Sequence, residues 1–285
     1  MADNTFQTGI QLPQGGASLV VANGGSLVVE PGGLIYDKSG SAAGAGLSPL
    51  IWDDCPRLQM LVNPTLGIFA GDNFDVVQAT GFPYKLSGTN GTFAAVAAQM
   101  QGVARISAPG TDNDEAYLAY NNDAAGLIKA DATHNWWFEA RVKLSQIASE
   151  QGVFVGLAEE TGVGADFMTD HTMALKVVDS IGFQIVHATA AAAVWQSIIQ
   201  LTGGARAAVN ATLASGSTDW VKLGMKSVSG TVTFYVDGAA NATTVLSSAT
   251  NFPLDQVMEP TFATKTGKGA ANSLDIDWWY AAQLR

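Results

Sequence analysis

A single cysteine, Cys55, excludes an intrachain disulfide and any cysteine-rich metal site. Charge is also sparse: Asp, Glu, Lys and Arg make up 14% of the chain, with 14 Lys and Arg scattered among 25 Asp and Glu. A net charge of −11 without a basic cluster leaves no surface built to neutralise phosphates, so nucleic acid is not an expected partner. No unbroken apolar run reaches the length of a membrane span. The opening MADNTFQTGIQL has neither a basic nor an apolar signal region, so neither membrane insertion nor export is expected. The local signatures G-x-S-x-G, H-E-x-x-H and G-x-x-x-x-G-K-[ST] are missing. Only three histidines occur, His134, His171 and His187, far apart in sequence, and each reads as a core or rim residue rather than a metal ligand. On these grounds no metal, no cofactor and no enzymatic activity are expected.

What the chain has in plenty is apolar residues, at 47%, and glycine, at 31 residues, enough to fill a core and to supply many turns. After Leu50, short apolar segments alternate with turn signals, the pattern of an all-β sandwich. The clearest are WWFEARVKLS (136–145), GVFVGLAEE (152–160), SIGFQIVHA (180–188), DWVKLGMKS (219–227), GTVTFYVDG (230–238) and SLDIDWWYAAQLR (273–285). In the fifth, Val232, Phe234 and Val236 face one side while Thr231, Thr233 and Tyr235 face the other. A hairpin turn is expected at Ser227–Gly230, and Val236-Asp237-Gly238 suits a second tight turn. The alanine-rich pieces FAAVAAQM and HATAAAAVW lack a bulky apolar stripe and read as strand or loop.

Three groups carry possible chemistry. Asp275 and Asp277 share one face of the last strand, at a spacing that could seat the two carboxyl groups of a retaining glycosidase. The glucanase-like pattern E-x-D-x-x-E would require glutamates there, and a solvated or subunit-facing pair is the plainer reading. Asp112, Asn113, Asp114 and Glu115 cluster oxygen donors that either hold calcium or form a turn before the strand AYLAY. The pairs Trp136-Trp137 and Trp278-Trp279 each send one ring inward and one outward. The outward rings are then expected at a subunit contact or as a platform for sugar.

The N-terminal stretch GASLVVANGGSLVVEPGGLIYD (16–37) nearly repeats every eight residues, aligning Gly16, Gly24 and Gly32 and then Leu19, Leu27 and Ile35. So small a repeat buries too little in one chain to offset the ordering of its backbone, at ~1–2 kcal/mol per residue. Three copies wound about an axis would bury both faces; a hairpin laid on the chain's own sandwich is the alternative. The expected organisation is an arm and octad repeat over 1–37, a Gly/Ser-rich linker over 38–50, and a jelly-roll sandwich over 51–285.

The ordered strings N-D-E-A-Y-L (113–118), W-F-E-A-R-V-K (137–143), F-V-G-L-A-E (154–159), V-K-L-G (221–224), T-V-T-F-Y-V-D-G (231–238) and D-I-D-x-x-x-A-A-Q-L-R (275–285) resemble head decoration, or cement, proteins of tailed bacteriophages. The resemblance covers roughly residues 63–285. It implies a concanavalin-like or laminin-G-like jelly roll on the outside of a virion, made in the host cytoplasm, bound to the major capsid protein as a homotrimer and without enzymatic activity. Capsid contact would then fall to Phe6, Ile10 and Leu12, and the trimer core to Leu19, Val21, Leu27, Val29 and Ile35. The other reading is a fibre, spike or lectin-like module that attaches to host-surface glycans.

Overall fold

The computed structural model describes residues 10–11, 20–21, 47–74, 83–96, 102–120, 126–147, 150–159, 167–170, 172, 174–176, 178–187, 193–204, 206–267 and 269–285. The chain divides into two units, Met1–Lys38 and Ser39–Arg285. In the first, β1 (Ile10–Gln11) and β2 (Val20–Val21) pair antiparallel, with Ile10 opposite Val21.

The second unit opens with two short helices, α1 (Pro49–Trp52) and α2 (Arg57–Val62). Then come β3 (Gly67–Asp72), β4 (Tyr84–Ser87), β5 (Thr92–Ala95), β6 (Ala104–Ala108), β7 (Glu115–Tyr120) and β8 (Ile128–Lys129). The long central strands are β9 (Trp136–Leu144), β10 (Gln151–Glu159), β11 (Ser180–His187), β12 (Val194–Gln200) and β13 (Ala207–Ser215). The chain closes with β14 (Val221–Val228), β15 (Thr231–Val236), β16 (Ala239–Leu246), β17 (Val257–Thr266) and β18 (Asn272–Leu284).

Two antiparallel sheets result. The first runs β13-β12-β11-β10-β17-β7-β4, with β8 on β17; the second runs β16-β15-β14-β9-β18-β6-β5, with β3 on β18. Non-consecutive neighbours such as β10 and β17, or β9 and β18, are the long crossovers of a jelly roll rather than a meander. The expected all-β sandwich is therefore the observed fold.

Strict alternation explains the core between the sheets. Val153, Val155 and Leu157 of β10 meet Ile181, Phe183 and Ile185 of β11, and Phe138, Val142, Met225, Phe234 and Ile276 face them from the second sheet, all buried. The β14–β15 hairpin closes through Val228 opposite Thr231, leaving Ser229 and Gly230 as the two turn residues, at φ 50° and 75°. Asp237 and Gly238, at φ 50° and 80°, make the next turn into β16. Positive φ at both central positions matches the right-handed strand twist, which is why Ser-Gly and Asp-Gly stand there.

Candidate functional site

The residues of the first sheet that alternate away from the core do not meet water at the centre of the sheet. Tyr117, Ala119, Phe154, Ala158, Ile198 and Ala263 pack under Phe167, Met168, Leu175 and Val178, from the connection between β10 and β11. Beneath this cover lies a polar network. Lys265 Nζ stands 2.8 Å from Glu115 Oε2 and 2.6 Å from Asp170 Oδ1, and donates to the Met168 carbonyl at 3.1 Å. The Tyr117 hydroxyl donates to the same Glu115 oxygen and accepts from the Met168 N–H at 3.2 Å. Lys265 and Glu115 are both fully buried, whereas Asp170 is half exposed. Burial opposes the charge on Lys265, but its bonds to Asp170 and Glu115 outweigh that cost and raise its pKa. The network ties the covering segment, through Asp170 and Met168, to the sheet.

Two polar clusters flank this centre. At one end Glu159 Oε1 accepts from the Asp179 N–H (3.2 Å) and the Thr202 hydroxyl (3.1 Å), and Asp179 accepts from the Thr202 N–H. Nearer the β13 edge, Gln184 and Gln196 stand opposite each other across β11 and β12. Arg206 Nη1 donates to both, at 2.7 Å to Gln184 Oε1 and 3.4 Å to Gln196 Oε1.

The outer face of the second sheet is covered in part by residues 47–66. Ile51, Trp52, Cys55 and Met60 pack on Trp137, Tyr235 and Ala282. The buried Glu139 carboxylate anchors them, accepting from the Ser48 N–H at 2.9 Å and Trp52 Nε1 at 2.8 Å. Burial pushes the Cys55 thiol up to about 12, which leaves this lone cysteine protonated and unreactive.

This arrangement corrects the expectation for the tryptophan pairs. Trp136 and Trp279 do point into the core, and Trp137 and Trp278 do point out, yet both outward rings are buried. Trp137 lies beneath the chain's own residues 51–60 and donates to Asp54 at 2.8 Å, while Trp278 lies beside Tyr280. Neither presents a ring to a sugar or to a second subunit. Asp275 and Asp277 are likewise engaged: Arg105 grips Asp275 through two nitrogens, at 2.5 and 2.8 Å, and Arg141 pairs with Asp277 while stacking on Trp220. Both carboxylates are thus committed to arginine partners on neighbouring strands.

In the acidic turn, Asp114 accepts from Asn90 Nδ2 (2.8 Å) and the Thr111 N–H (3.0 Å), and Glu115 is bound to Lys265. These bonds hold the turn that leads into β7, while the buried Asn113 Oδ1 has no hydrogen-bond partner among the described residues. His134 sits in a loop with Asp131 and Thr133, and His187 ends β11. Ile10 and Val21 are paired in β1 and β2. Phe6, Leu12, Leu19, Leu27, Val29, Ile35 and His171 lie outside the described residues.

No protein-family profile and no curated relative matches the chain. Solved structures do. Peanut lectin, crystallised with a nine-residue peptide, is similar over 77% of this chain and 98% of its own, at 13% identity and a TM-score of 0.53. A Bacteroides ovatus glycoside hydrolase of family GH16, in complex with an oligosaccharide product, is similar over 74% and 98%, at 10% identity and a TM-score of 0.51. A Shewanella oneidensis protein of unknown function follows at 18% identity, with 77% and 87% covered and a TM-score of 0.49. The glycoside hydrolase overturns the expectation that this chain has no enzymatic activity, because missing local motifs cannot exclude catalysis on a fold that carries it. The described residues between 47 and 285 thus build a jelly-roll β-sandwich, an architecture found also in a plant lectin and a glycoside hydrolase.

Proposed function

We propose that this chain is a carbohydrate-recognition protein that attaches through its jelly roll to surface glycans. The observation that carries the reading is the likeness to peanut lectin along nearly that protein's whole length. The chemistry agrees: near the β13 edge of the first sheet the partly buried Arg206 and Gln196 offer the directional donors and acceptors that sugar hydroxyls require. The test is a glycan array probed with the full chain, followed by incubation of each bound oligosaccharide with the protein. Discrete, saturable binding to a subset of glycans is expected, and product analysis scores hydrolysis in the same samples. A flat array would overturn the proposal.

A second reading places the protein on the outer surface of a phage capsid, as a homotrimer held to the major capsid protein by residues 1–37. The ordered strings between 113 and 285 and the octad repeat at 16–37 favour it. On this reading Phe6, Ile10 and Leu12 meet the coat, and Leu19, Val21, Leu27, Val29 and Ile35 meet around the threefold axis. Binding only to assembled lattice would stabilise it by mass action. The prediction is that the full chain co-sediments with assembled capsids and that a chain lacking residues 1–37 does not. Equal co-sedimentation of both would sink this reading.

A further inference from the structure

The surroundings of Arg206 differ from those of Arg105 and Arg141. Among the described residues, three of the five arginines, Arg57, Arg206 and Arg285, form no ion pair with a carboxylate. Arg105 and Arg141 both have one. Arg206 forms no ion pair among the described residues, although it is partly buried, and burial lowers its pKa. Its partners are two neutral carboxamides, and both bond to the same nitrogen, Nη1.

That geometry matters more than the count. Gln184 is fully buried in β11, so its oxygen is a fixed acceptor, and Gln196 stands opposite it in β12. The short bond to Gln184, with the longer contact to Gln196 on the same nitrogen, orients the guanidinium. The Nε–H and Nη2–H edge is left without a hydrogen-bond partner among the described residues, and this edge is a fork that matches a carboxylate bidentately. A partly desolvated cation with an oriented, unused fork is an anion receptor in all but its occupant. One guanidinium carries a single positive charge, which matches a singly charged carboxylate better than a doubly charged phosphate.

We infer that Arg206, oriented by Gln184 and Gln196, binds the carboxylate of an acidic saccharide, such as a uronic or nonulosonic acid residue of a surface glycan. This rests on the carbohydrate-recognition reading and names its substrate class.

The experiment titrates the full chain with galacturonate and N-acetylneuraminate, and with galactose and N-acetylgalactosamine as neutral counterparts. Acetate and inorganic sulfate serve as sugarless anions. Saturable binding of an acidic sugar is expected, roughly tenfold or more tighter than the neutral counterparts, in line with a charge-assisted pair of hydrogen bonds. Arg206→Gln should abolish that preference. Arg206→Lys, which keeps the charge and loses the fork, should lose most of it. Arg206→Gln takes a donor from the buried Gln184 oxygen and should lower the thermal midpoint somewhat, so binding of both variants is measured well below their midpoints, where each is folded. Neutral and acidic sugars bound alike by parent and Arg206→Gln would overturn the inference and leave the carbohydrate reading standing. Acetate or sulfate bound as tightly as the acidic sugars, with dependence on Arg206, would also overturn it by showing a bare anion site. Absence of any sugar binding in the parent would remove both.

Discussion

Lys265→Met is expected to destabilise the jelly roll by about 3–5 kcal/mol, because it leaves the fully buried Glu115 carboxylate without its cation. For a unit of this size that is a fall in thermal midpoint of roughly 6–20 °C. The loss comes from stranding a charge rather than from deleting a strong bond, and a second variant separates the two. The double variant Glu115→Gln/Lys265→Met removes both buried charges and keeps an acceptor for the Tyr117 hydroxyl, so it should regain most of the stability. Asp170→Asn, at the half-exposed member, should cost under about 1 kcal/mol, since water already screens that pair. A double variant no more stable than Lys265→Met would refute the charge-stranding account.

The same network sets an alkaline limit. The pKa of Lys265 is raised in the folded state, so its stabilisation is complete below the unfolded value of 10.5 and is lost as pH rises through the folded value. Lys226, held by Asp53 and Asp54 against the cost of burial, and the buried Tyr84 hydroxyl shift in the same direction. Stability measured by chemical denaturation should therefore decline above about pH 10. The decline should be shallower in Lys265→Met than in the parent.

The strands of this protein are readable in its sequence because each has one face in the core, so apolar residues recur every second position. The two turns at Ser229-Gly230 and Asp237-Gly238 are readable because few residue pairs tolerate positive φ twice in succession. Period-two patterning assigns sides, however, and not what lies against each side. It sends Trp137 outward correctly, but only the docking of residues 51–60 makes that outward position dry. Likewise it puts Asp275 and Asp277 on one face, while the arginines that hold them come from β6 and β9. Glu115 and Lys265 lie 150 residues apart and meet only because β7 and β17 pair with Glu115 opposite Lys265. Nothing in T-G-G-A-R marks Arg206 either; its significance lies in the two glutamines that orient it and in the carboxylate it lacks. A missing catalytic motif misled for a related reason: local spacing is one way to assemble a site, and paired strands are another.

Trp52→Ala is expected to cost about 3–5 kcal/mol, the price of a cavity at a large buried aromatic. Trp52 packs edge-on to Phe69 at 6.0 Å and gives Glu139 one of its two donors, so the truncation removes both packing and a bond to a buried carboxylate. Trp52→Phe keeps most of the packing and loses the N–H, and should cost about 1–3 kcal/mol. In the alanine variant the cover over Trp137 loosens, and collisional quenching of tryptophan fluorescence should rise above that of the parent before any unfolding. Glu139 gives an independent check. Burial raises its pKa against the bonds from Ser48 and Trp52, so its charge is a cost of the folded state at neutral pH. A raised folded value means stability from this group is greatest below the unfolded value of 4.5 and declines as pH rises through the folded one. Glu139→Gln keeps an oxygen for Ser48 and Trp52 while removing the charge, so it should be at least as stable as the parent at pH 7 and lose its advantage on acidification. Glu139→Ala strands both donors and should fall below the parent at either pH. Quenching and stability unchanged in Trp52→Ala would show that residues 47–62 lie on the sheet without contributing to it.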